Sequence, residues 1–201
     1  AQVGMQIGGD EFWDAAEGFG FGRNVPFDLP VADSQLASSE DFLDSSNAVA
    51  DTGFGQGQIQ VTPLLMALIT SAYANGGDIP EPRLVDQILS PDGDVVETLP
   101  SGTWLSPFSP NTAQQVQDMM IDTVESGSVQ SAQVPGYTVG GKTGTAETGS
   151  GSNHSWFIGF IGNPGEQPKY AVAVVLEEGT TGLAGPVGIG RDILAQTMQE
   201  P

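Results

Sequence analysis

The spacing of apolar positions changes several times along the chain, and each change marks an element. Asp10 stands before E-F-W-D-A-A-E, an amphipathic run that Gly18 stops, so a short helix N-capped by Asp10 is predicted. G-F-G-F-G (Gly18 to Gly22) reads as a turn, and Arg23 to Leu43 as a long polar loop holding Pro26 and Pro30. Thr62-Pro63 pairs a hydroxyl cap with proline at the first helical position. The helix that follows, L-L-M-A-L-I-T-S-A-Y-A, is apolar nearly all round and is predicted to lie in the interior until Asn75-Gly76-Gly77 ends it. Arg83 to Ser90 and Val95 to Leu99 flank P-D-G-D, a hairpin signal.

Ser109-Pro110 repeats the cap-plus-proline start, and Ala113, Val116, Met119, Met120, Thr123 and Val124 recur at helical spacing up to Gly127. From Tyr137 the period shortens. Tyr137 to Glu147, Ser155 to Ile161 and Tyr170 to Leu176 read as strands, the last apolar enough to be expected in the middle of a sheet. Asn163-Pro164-Gly165 separates the last two so briefly that they must pair antiparallel. Gly190 to Gln199 forms a closing amphipathic helix. No internal repeat or low-complexity linker interrupts this order, and 201 residues suit one domain or one large lobe.

Charge and composition narrow the classes. With 25 acids against 5 Lys and Arg, the net charge is -20, which disfavours nucleic acid and an anionic membrane surface as partners. Cysteine is absent, so disulfides, thiol catalysis and thiolate metal sites are excluded, and the lone His154 cannot build a multi-histidine metal centre. No cofactor is called for. The first residues, A-Q-V-G-M-Q-I-G-G, have neither the charged start nor the apolar core of a signal peptide, and no apolar run approaches the roughly 18 residues of a spanning helix.

Gly136 to Thr148, G-Y-T-V-G-G-K-T-G-T-A-E-T, carries the chemistry. Its first eight residues satisfy G-x-x-x-x-G-K-T, the phosphate-cradling loop, which needs a buried strand before it and a helix directly after. Upstream stands S-A-Q-V-P and downstream G-T-A-E-T-G-S-G-S-N, so neither flank fits. The alternative is K-T-G on a strand at the edge of a cleft. There Thr143 and Thr145, two apart, share a face and can bind a carboxylate. Lys142, one of two lysines in the chain, supplies positive charge. Gly144 lets a peptide lie close and pair with the strand, and the Thr145 N–H can donate to a developing oxyanion. A T-x-T strand by itself also fits a merely half-solvated sheet face.

The surrounding sequence selects the second reading. F-G-F-G-R-N-V-P-F-D-L-P (Phe19 to Pro30), G-F-G-Q-G-Q-I-Q-V-T-P-L-L-M-A (Gly53 to Ala67), Y-A-N-G-G (Tyr73 to Gly77), G-G-K-T-G-T-A-E (Gly140 to Glu147) and N-H-S-W-F-I-G-F (Asn153 to Phe160) follow one another. Together they resemble the C-terminal half of a class B penicillin-binding protein transpeptidase domain, most like the actinobacterial penicillin-binding protein A group. The resemblance implies an α+β fold: the C-terminal lobe of the penicillin-binding protein/serine β-lactamase-like fold, an antiparallel sheet flanked by helices. It implies a peptidoglycan D,D-transpeptidase on the extracytoplasmic face of a bacterial plasma membrane, anchored by an N-terminal segment outside this chain. Its partners would be stem peptides ending in D-Ala-D-Ala, β-lactams, and the N-terminal part of the same domain. Lys142, Thr143, Gly144 and Thr145 would bind substrate, with Lys142 and Thr145 catalytic.

Two family motifs are missing. The nucleophilic serine belongs to S-x-x-K, yet Val139 stands three before Lys142 and Glu166 three before Lys169. Ser45-Ser46-Asn47 satisfies the second motif, S-x-N, but falls where the family has a variable loop, and is read as coincidence. Residues 1–201 are therefore expected to be the C-terminal part of a single transpeptidase domain, with nucleophile and second motif upstream of Ala1, and the chain alone is expected to be inactive and poorly stable. The alternatives are a D,D-carboxypeptidase or β-lactam sensor on the same fold, or a non-catalytic wall-binding or scaffolding module. His154 and the aromatics Phe12, Trp13, Phe19 and Phe21 read as packing residues, and Glu147, near the motif, either tunes Lys142 or forms an exposed ion pair of little weight.

Overall fold

Helices gather around a three-stranded antiparallel sheet built by the last third of the chain. The computed structural model describes residues 1–149, 151–179 and 185–199. The sheet runs β5 (Thr138–Glu147), β6 (Asn153–Gly162), β7 (Tyr170–Leu176), in that spatial order. β5 pairs with β6 without a slip from Thr138↔Gly162 to Glu147↔Asn153. β6 pairs with β7 from Ser155↔Leu176 to Ile161↔Tyr170.

Among the described strands β6 is central, and β7, expected in the middle of a sheet, lies at one edge with β5 at the other. The faces of β7 are covered by the helices α4 (Pro63–Ala74) and α6 (Pro186–Thr197).

The two cap-plus-proline signals behave as expected. Thr62 accepts a hydrogen bond from the Leu65 N–H at the start of α4, and Ser109 one from the Thr112 N–H at the start of α5 (Pro110–Glu125). α4 is the interior helix: Leu65, Leu68, Ile69, Ala72 and Ala74 are all buried. β2 (Gln87–Leu89) and β3 (Val95–Thr98) form the expected hairpin, exposed along both strands.

The chain starts with α1 (Gln2–Ile7) and α2 (Gly9–Gly18). Asp10 is not the cap of α2. Gly8 occupies that place with φ 94, and Asp10 sits in the first turn, where its carboxylate complements the helix dipole. The long polar loop ends in a 3-10 turn at Glu40–Asp44 and is tied across by a bridge between Gln35 and Gln60.

Three elements carry no local signal. α3 (Ser46–Thr52) buries Ala48 and Val49 against α1 and the 3-10 turn. β1 (Ile79–Pro80) and β4 (Thr103–Leu105) pair antiparallel over two or three residues. Ser45-Ser46-Asn47, the S-x-N match, is simply the start of α3.

A strand with a wedged half and an open half

The candidate site is the second half of β5, and its first half explains how it is held. At Gly140 an added Cβ would collide with the ring of Phe160, directly opposite on β6, and at Gly141 with the ring of Phe157. The two rings lie on opposite faces of the sheet, because their positions differ by an odd number. Phe160 is packed among Ala74 and Met120, beneath α4 and α5. Phe157 is packed among Val139, Val187 and Leu194, beneath α6. Both are fully buried. Gly140-Gly141 is therefore a backbone clamped between two aromatic rings.

At Lys142 the burial pattern reverses. Val139, Gly140 and Gly141 are buried, whereas Lys142, Gly144, Thr145 and Glu147 are exposed and Thr143 half-buried. Thr143 and Thr145 share one face, opposite Phe157 and Ser155 of β6. Lys142 and Gly144 lie on the other, opposite Ile158 and Trp156. A Cβ at Gly144 would meet Trp156 at 3.4 Å, an ordinary contact. The chain's own packing does not demand glycine there.

β5 is also a sheet edge among the described strands, so one side of its backbone has no strand partner. An extended peptide can add there by main-chain hydrogen bonds.

The Lys142 ammonium folds back to donate to the Thr143 carbonyl oxygen at 2.5 Å. It makes no ion pair among the described residues, where the pairs found are Arg83–Asp86 and Arg191–Asp192. Glu147 cannot reach it readily: five residues along a strand is about 17 Å, on the opposite face.

Two concavities lie elsewhere, one beside Trp13, Phe21 and Leu36, the other beside Tyr137, Gln133 and Arg191. The Lys142–Thr145 stretch is an open ledge, as one wall of a cleft would be. Among the described residues no cluster of acids and histidine could hold a metal.

The geometry disposes of the phosphate-loop match. Thr138 to Glu147 is one continuous strand paired antiparallel with β6, so no helix N-terminus follows Lys142 and its amides do not wrap a phosphate. In the downstream stretch, Ser150 lies outside the described residues. His154, read as a packing residue, also accepts a hydrogen bond from the Glu178 N–H.

An α+β lobe with an antiparallel sheet and an exposed K-T-G-T edge defines the class, and comparison with known proteins gives the family. The model of the penicillin-binding protein transpeptidase domain matches residues 1–198, and the chain belongs to that family. The peptidoglycan D,D-transpeptidase PbpA of Mycobacterium tuberculosis is 32% identical over 208 residues, covering 98% of this chain and 41% of the relative. Penicillin-binding protein 3 of Bacillus subtilis is 32% identical over 166 residues, 80% of this chain and 24% of the relative.

Among solved structures, the D,D-transpeptidase domain from Eggerthella lenta superposes with TM-score 0.85 at 31% identity, over 98% of this chain and 50% of the other. Penicillin-binding protein A from M. tuberculosis, as its imipenem acyl-enzyme complex, gives TM-score 0.83 at 33% identity, over 97% of this chain and 44% of the other. The resemblance to the class B, PbpA-like group is borne out, as is the α+β fold. The chain spans half or less of the length of these relatives.

Proposed function

We propose that the chain is the C-terminal part of a D,D-transpeptidase domain and supplies the substrate-binding wall of its active site. The observation that carries this is the division of β5, clamped at Gly140-Gly141 and open at Lys142–Thr145.

A stem peptide ending in D-Ala-D-Ala lies along the outer edge of β5, close against Gly144. The hydroxyls of Thr143 and Thr145 bind its terminal carboxylate, with Lys142 contributing charge, and the Thr145 N–H is one of the oxyanion donors. A serine of an S-x-x-K motif in the preceding part of the domain attacks the penultimate carbonyl. The bond to the terminal D-Ala breaks, and that residue leaves as the free amino acid, taking up the serine proton. The amine of a second stem peptide then displaces the serine and forms the cross-link. A β-lactam acylates the same serine by opening its ring. The parent works on the extracytoplasmic face of the plasma membrane, held by an anchor preceding this chain. Among the described residues no helix is long and apolar enough to cross a membrane.

The surfaces where a preceding part would dock support the division. β7 is apolar along its length, yet its outer edge has no strand partner among the described residues. Val3, Met5 and Ile7 of α1 and Ile189 and Ile193 of α6 stand exposed. Apolar patches of this kind mark contacts with further protein.

The test is intact mass after incubation with benzylpenicillin, on the 201-residue chain and on a version extended upstream through its natural coding sequence. An adduct only on the extended protein is expected. No adduct on either, both being folded, would move the reading to a non-catalytic module.

A further inference from the structure

The hairpin that carries the site overhangs the rest of its sheet. β7 pairs with β6 only as far as Leu176, opposite Ser155. β5 and β6 continue for two more rungs, Ala146↔His154 and Glu147↔Asn153, and Thr145 sits on the last rung that the third strand supports. A two-stranded ribbon end is weakly held by itself.

Two consecutive side chains of β6 secure it. His154 Nδ1 accepts from the Glu178 N–H at 3.1 Å, and Ser155 Oγ donates to the Gly179 carbonyl oxygen at 3.1 Å. Successive strand residues point to opposite faces, so the turn after β7 is gripped from both sides of the sheet. Glu178 pays for its place with a left-handed backbone, φ 49, the single non-glycine residue of positive φ among those described. A strained residue of this kind persists where its surroundings hold it.

We infer that His154 is a positioning residue: through Glu178 it locks the overhanging end of the β5–β6 ribbon, and so the Thr145 backbone, in place. This rests on the transpeptidase reading above for its effect on acylation, though not for the lock itself. The lock needs a neutral imidazole with the proton on Nε2, because an imidazolium has no acceptor. A proton on Nδ1 therefore opens it.

Among the charged groups on the packed elements, β5 brings Lys142 and Glu147, the turn Glu177 and Glu178, α5 Asp118, Asp122 and Glu125, and α6 Arg191 and Asp192, paired with each other. α4 and β7 bring no Lys, Arg, Asp or Glu. The carboxylates attract an imidazolium but cannot restore the lost N–H···N bond.

The experiment uses the upstream-extended protein, its His154→Ala and His154→Asn variants, and two readouts. The first is the 15N shift of the His154 ring, assigned by its disappearance in His154→Asn, followed with pH beside the Glu178 amide. The second is the rate constant for acylation by benzylpenicillin between pH 5.5 and 8.

The expected results are an unprotonated Nδ1 at pH 8 and a Glu178 amide shift that moves with the ring titration. At pH 8, His154→Ala acylates about tenfold more slowly, the size of effect expected from a small displacement of a reacting group. His154→Asn, whose Oδ1 still accepts but does not titrate, stays within about twofold of wild type and loses the acid fall attributable to the ring. Melting curves guard against misfolding of the alanine variant, and the asparagine arm stands without it.

A proton on Nδ1 at pH 8 overturns the lock. Equal rates for His154→Ala and wild type at pH 8, or an unchanged acid fall in His154→Asn, overturn the positioning role. A wild-type extended protein that takes no adduct at pH 8 sinks the transpeptidase reading and the positioning role together, while the ring shifts still decide the lock.

Discussion

Gly140 and Gly144 sit on the same face of the same strand, four residues apart, and are glycines for opposite reasons. At Gly140 the absent side chain is already replaced by the ring of Phe160, so glycine is required by the inside of this molecule. At Gly144 the space beyond the Cα is open apart from an ordinary contact with Trp156, so nothing in the chain itself requires glycine. One strand thus carries a clamped root and a free tip. The proposed binding edge needs both, because the Thr145 N–H can serve as an oxyanion donor only while the strand beneath it stays fixed.

The comparison breaks most visibly at the root. Gly140→Ala forces the Phe160 ring to shift within a fully buried site, where it packs against Ala74 of α4 and Met120 of α5. Overpacking of this kind costs about 3 kcal/mol, enough to remove much of a domain's stability. Urea unfolding of the upstream-extended protein should show the midpoint falling accordingly. A midpoint unchanged within error would mean that the clamp is not rigid.

At the tip the signs exchange. Gly144→Ala should leave the urea midpoint within about 0.5 kcal/mol of wild type, as for a substitution away from buried packing. The same change should slow benzylpenicillin acylation about tenfold, because the methyl group holds the ligand off the strand by a fraction of its productive geometry. Destabilisation comparable to Gly140→Ala would make Gly144 structural. Unaltered acylation would mean that no ligand approaches that closely.

How much of this was legible beforehand follows from the range of each interaction. The caps at Thr62 and Ser109 were readable because donor and acceptor lie three residues apart. K-T-G-T was readable because its chemistry depends on alternation along one strand. The clamp was not: Gly-Gly is visible as composition, but the rings that require it come from another strand. The bond between Glu178 and His154 spans 24 residues and left no local pattern. The apolar run of β7 signals burial, which α4 and α6 supply on its faces, but its neighbours within the sheet follow from pairing that no local pattern encodes. β1 and β4 are too short to show any period at all.

The smallest effect probes the clamp from below. Tyr73, on α4, packs against the cluster that holds Phe160 and stacks on Phe108 with ring centroids 4.8 Å apart. Burial raises its hydroxyl above the ordinary value of 10.0, because the phenolate would lose its water. The folded state therefore keeps the proton longer than the unfolded chain does. The sign follows: stability is unaffected by this group below pH 10, and is lost as pH rises from there through the raised folded value. Tyr73→Phe removes the titration and should flatten that part of the decline in the alkaline limb of the urea midpoint. Benzylpenicillin acylation at pH 8 should be the same in both proteins, since the hydroxyl is uncharged there and lies under the root, away from the open tip. An alkaline limb equally steep in Tyr73→Phe would assign the loss to other groups and leave the clamp without a titratable foundation.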